Sequence, residues 1–105
     1  MITVEFFGTE PVYGFRISGH SDMNPCGPEI LCAAVSSAAY MTANTVTDVI
    51  GLDPLLEVDD GYMYLKLQTE SEALRCRDIF GGLKLHMSSL SEQYPEYLTI
   101  TNSEV

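Results

Sequence analysis

The apolar pattern of this chain changes period four times, and no other feature restricts its fold as much. In "ITVEFF" (residues 2–7) apolar side chains return at every second position, and "VYGFRIS" (12–18) continues the pattern with Tyr13, Phe15 and Ile17 on one face. A period of two belongs to a half-buried strand. With "GTEP" between the two segments as turn chemistry, they predict a hairpin. From Pro28 the period becomes helical: Leu31, Val35, Ala38, Thr42, Val46 and Val49 recur at spacings of four, three, four, four and three. Gly51 offers the stop, so the spacing predicts one long helix over about 28–50.

The pattern then returns to strands. "LLEV" and "YMYLKL" flank "DDG", and Asp-Gly joins antiparallel strands because glycine takes a positive φ without steric cost. Thr69 and Glu72 form a capping box for a second helix, whose stripe runs through Cys76, Phe80, Leu83, Met87, Leu90 and Tyr94 and ends before Pro95. Gly81 and Gly82 interrupt that stripe, either for close packing or as a local bend. "YLTIT" supplies a fifth strand and "NSEV" a frayed tail. The order ββαββαβ predicts an α+β fold, a mixed or antiparallel five-stranded sheet carrying two helices, in a single domain over residues 1–105. The two ββα halves suggest an internal repeat but share no residue motif.

Charge narrows the partners. A net charge of −10 with only five Lys and Arg argues against nucleic acid and anionic membrane, which need clustered cations, and favours a basic partner. A core of this size gains from burying a further face, so a homo-oligomer is an option. "MITVEFFG" carries no basic n-region, cleavage site or apolar span, which points to a cytosolic protein whose three cysteines are reduced thiols. Each of the three is core filler, metal ligand or reactive group.

The chemistry-bearing residues gather between Gly19 and Ser36, in "GHSDMNPCGPEILCAAVS". Cys32 falls in or just after the first turn of the long helix, where unpaired N–H groups and the helix dipole favour thiolate. Ser36 lies one turn further on the same face. His20 ends the second strand, twelve residues before Cys32, at the mouth of a glycine- and proline-punctuated loop. A histidine held over that helix start could take the thiol proton, and the helix N–H groups could hold an oxyanion. Asp22, two residues from His20, is a turn former that could also orient the imidazole. His20, Asp22, Cys26 and Cys32 could alternatively bind zinc, but the segment has no Cys-x-x-Cys knuckle and no paired histidines. Cys76 sits on an apolar stripe and reads as core, and His86 as a helix-surface or interface residue.

"ISGHS", the glycine-containing loop, "EILCAAVSS" and a helix continuing through Thr45 and Val46 resemble the ribosomal-processing cysteine protease family Prp, over essentially the whole chain. The resemblance implies an endopeptidase that cleaves the N-terminal extension of bacterial large-subunit ribosomal protein L twenty-seven. It implies a homodimer and neither cofactor nor metal. By resemblance His20 is the general base and Cys32 the nucleophile that forms an acyl-enzyme, while Ser36 matches the serine closing the helix motif. Glu29 stands where the family has Asp, Ser21 where it has Ala, and Cys26 is an added loop thiol. A basic ribosomal tail would suit an acidic enzyme. The alternative is a non-catalytic, ribosome-associated module that binds the same tail.

Overall fold

A computed structural model describes residues 1–19 and 29–105, Glu29 by its backbone alone. Two hairpins form where the period of two predicts them. β1 (Ile2–Phe7) pairs antiparallel with β2 (Gly14–Ser18), and β3 (Leu55–Asp59) with β4 (Tyr62–Lys66). Gly61 takes φ +67° in the second turn, as the Asp-Gly signal requires. Tyr13 falls just before β2 rather than within it.

The hairpins join edge to edge through β2 and β4, and β5 (Leu98–Ser103) runs parallel to β1, giving the order β3-β4-β2-β1-β5. The sheet is therefore mixed. Its last strand includes Asn102 and Ser103, predicted as a frayed tail. The Asn102 amide donates to the Gly8 carbonyl at 2.9 Å, Lys84 Nζ donates to Asn102 Oδ1 at 3.0 Å, and the Ser103 hydroxyl donates to Glu5. Two of these partners, Gly8 and Glu5, lie more than ninety residues away, and no local pattern announces them.

Alternate residues of the sheet, Val4, Phe6, Phe15, Ile17, Met63 and Leu65 among them, are buried under the helices on one face. α1 (Glu29–Asn44) contributes Leu31, Val35, Ala39 and Ala43 to this core and continues into a π-helical turn, Thr45–Val49. The hydroxyls of Thr42, Thr45 and Thr47 donate to the carbonyls of Ala38, Met41 and Ala43, four residues back in each case. Such back-bonding competes with the main-chain ladder and accompanies its widening. The run Ile30–Val49 is long and apolar enough to cross a bilayer, yet its core-facing stripe is spent on the sheet. Gly51, at φ +83°, ends it as predicted.

The second helical region is two helices instead of one. α2 (Glu70–Arg75) is capped by the Thr69 hydroxyl, which accepts from the Glu72 N–H, and α3 (Arg77–Gln93) follows after a break at Cys76, φ −103° and ψ 10°. Glycines do not cause that break. Gly81 and Gly82 lie within α3, and a Cβ on either would meet nothing within 4 Å, so they mark neither a bend nor a close intramolecular approach. Phe80 and Phe15 meet edge to face, centroids 6.1 Å apart, and lock α3 onto the sheet.

Candidate active site

A cleft of about 430 Å³ opens between α1 and the β2–β4–β3 side of the sheet. Ile2, Ile17 and Met63 line it from the sheet, while Cys32, Ser36 and Tyr40 come from α1. These three fall at i, i+4 and i+8, which places them one above another on a single face of the helix. Cys32, the fourth residue of α1, is half-buried and packs against the core, while Ser36 and Tyr40 are exposed. The face that carries Cys32 thus forms one wall of a solvent-open groove.

Gly19 and the β3–β4 turn, Asp59 to Tyr62, also line the cleft. Gly19 holds this junction together. Its N–H donates to the Gly61 carbonyl at 3.1 Å, its φ is +100°, and a Cβ there would lie 2.1 Å from the Met1 carbonyl oxygen. Only glycine fits both the space and the dihedral. The residue directly after it is His20, so this constraint delivers the chain to the cleft one residue before the predicted base.

His20, Asp22 and Cys26 lie outside the described residues, which leaves the predicted pairing of His20 with Cys32 without a distance. Cys32 and Ser36 are brought together on one wall. Among the described residues no group of three or more His, Cys, Asp and Glu side chains could hold a metal ion. Cys76 is completely buried, as its apolar stripe predicts, and burial pushes its thiol up from the ordinary value. His86 is exposed on α3, beside a second groove of about 530 Å³ between α1 and α3.

The sequence profile of the family described as cysteine protease Prp matches residues 1–99. The chain belongs to the cysteine protease Prp family. It is similar to the ribosomal processing cysteine protease Prp of Bacillus subtilis, with 24% identity over 97 residues, 88% of this chain and 87% of that protein. A Streptococcus mutans protein of solved structure superposes with a TM-score of 0.85 at 24% identity, covering 100% of this chain and 96% of the other. The essential ribosomal processing protease Prp of S. aureus, in complex with a covalently linked product peptide, superposes with a TM-score of 0.78 at 24% identity, covering 98% and 100%.

The cleft sets the Cys32 sulfur on its wall, opposite the apolar side chains of Ile2, Ile17 and Met63. Tyr40, Val58, Asp59 and Asp60 also line it, and none stood out in the sequence. Tyr40 was within reach of the i, i+4, i+8 pattern that begins at Cys32. The other three become visible only once the sheet order brings the second hairpin opposite α1.

Proposed function

We propose that this chain is an endopeptidase that removes the N-terminal extension of large-subunit ribosomal protein L twenty-seven, with Cys32 as nucleophile and His20 as general base. The observation that carries this reading is that Cys32 and Gly19, the residue before His20, line the same open cleft. Cys32 Sγ attacks the scissile carbonyl carbon while His20 accepts the thiol proton. The C–N bond then breaks, His20 returns the proton to the leaving amine, and a thioester remains. Water, deprotonated by His20, cleaves the thioester and restores the thiol. N–H groups of the first turn of α1 hold the oxyanion. Asp22 orients the imidazole, and Ser36 supplies a hydroxyl on the wall one turn from the sulfur.

Family membership favours this protease over the non-catalytic binding module. A covalently linked product in the S. aureus relative supports a covalent intermediate. The net charge of −10 supports a basic ribosomal substrate. The enzyme acts as a homodimer in the cytosol, where thiols stay reduced. Met41 and Leu85, large apolar residues exposed on the helix layer, favour a partner copy.

The test is mass spectrometry of a peptide spanning the extended N-terminus of the organism's own ribosomal protein, incubated with wild type, Cys32→Ala and His20→Ala. One cut by wild type and none by either variant is expected. An intact peptide with wild-type enzyme refutes the proposal, and undiminished cleavage by either variant refutes the assignment of that residue. Sedimentation of the wild type checks the dimer.

A further inference from the structure

β3 is exposed at all five positions, and Leu55, Leu56 and Val58 hold large apolar side chains toward solvent. An edge strand of this kind is an open template for another chain, and proteins ordinarily blunt such edges. The opposite edge is blunted: β5 reads "LTITNS", and Lys84 and Ser91 reach onto it from α3. On β3, Leu56 and Val58 stand opposite Leu65 and Met63, so they project on the helix side of the sheet, where Cys32, Ser36 and Tyr40 also lie. Val58 is 48% exposed and lines the Cys32 cleft, which makes the bare edge continuous with the site. Two turns of helix from Cys32 to Tyr40 span about 12 Å. Five residues of strand are of similar length, so the two walls match over about four residues of extended peptide.

We infer that a substrate segment flanking the scissile bond adds to the open edge of β3 as a sixth strand, and that the peptide then passes over Val58 into the cleft to reach Cys32. The inference rests on the protease activity proposed above and specifies how its substrate is held. Main-chain pairing at the edge would supply affinity, and alternate side chains against Val58 and Tyr40 would supply selectivity. Charge selects the occupant. A second copy paired antiparallel about the centre of β3 would set Glu57 against its own counterpart, and like charges across strands repel. A cationic peptide with apolar residues is instead attracted by the carboxylates of Glu57, Asp59 and Asp60.

An N-methyl scan of the ribosomal-protein peptide tests this, with single methyl groups on backbone amides away from the scissile bond. Pairing at one edge uses every second amide, so KM should rise about tenfold at alternate positions, with kcat within about threefold. A flat scan on a peptide that is still cut overturns the inference and leaves the protease standing. Failure to cut the unmethylated peptide refutes the protease itself. Leu56→Asp, at an already exposed position, supplies the other arm. If it splits an oligomer in sedimentation and leaves KM unchanged, the edge serves a second copy and the inference is overturned. A raised KM with unchanged assembly supports it.

Discussion

Cys32 is the fourth residue of α1 and Cys76 takes the N-cap position of α3 without a side-chain cap hydrogen bond, so both thiols lie at the start of a helix. Their surroundings separate them. Cys76 has no accessible surface, and desolvation drives its thiol upward despite the opposing pull of Arg75, with Glu72 adding to the rise. Cys32 is half-buried on the wall of a cleft with space for a peptide. A helix start therefore does not by itself make a nucleophile. The sulfur also needs a face toward solvent and a volume in which a carbonyl carbon can approach it.

The sharpest way to break this contrast is to exchange the two thiols for alanine separately. Cys32→Ala should lower kcat/KM for the ribosomal-protein peptide by at least about 10³-fold, equivalent to about 4 kcal/mol of transition-state stabilisation. Cys76→Ala should keep kcat within a few-fold and lose stability instead. Equal loss of activity in the two would remove the distinction. Alkylation compares the same thiols without mutating either: in a Cys26→Ser background, iodoacetamide should label Cys32 in the native protein, while Cys76 reacts about 10³-fold more slowly because it must wait for opening. Peptide mapping of the labelled sites reads both rates.

Two smaller effects separate the cleft from the core. Gly19→Ala places a Cβ against the Met1 carbonyl at a positive φ, and should cost about 1–3 kcal/mol in denaturant unfolding while raising KM, since the same junction lines the cleft. Cys76→Ser puts a hydroxyl in a dry site, with an expected loss of about 1–3 kcal/mol and no change in KM. A raised KM for Cys76→Ser would tie the core thiol to the site.

Which of these features could be read from the sequence follows from how local each one is. Both hairpins and the stripe of α1 declare themselves through periods of two and 3.6 over a few residues, and Thr69 with Glu72 marks the start of α2. The break at Cys76 hides because the apolar stripe runs through it unbroken and no Gly or Pro marks it, while the conspicuous Gly81 and Gly82 sit inside a continuous helix. The π turn did not show in the sequence, where Thr42 and Val46 simply continue the helical stripe; the back-bonding of Thr42, Thr45 and Thr47 appears only in the structure. In the site, Cys32 and Ser36 were legible from helix position. Val58, Asp59 and Asp60 required the sheet order β3-β4-β2-β1-β5, which is a property of long-range pairing.

The pH dependence of stability gives the smallest and most specific comparison. The Cys76 thiol is pushed up in the folded protein, so below about pH 8 both the folded and unfolded states hold its proton and the group has no pH-dependent effect. As pH rises past the unfolded thiol's value near ~8.5, the unfolded chain releases the proton first. The folded state then binds more protons than the unfolded one, and stability falls, by at most about 1.4 kcal/mol per pH unit, until the folded thiol ionises as well. Tyrosines and lysines titrate in the same range, which is why the difference between wild type and Cys76→Ala carries the information. Urea unfolding at intervals from pH 7 to pH 10 should show a steeper decline for wild type. Parallel curves would mean that Cys76 releases its proton equally in both states, and the contrast with Cys32 would then rest on access alone.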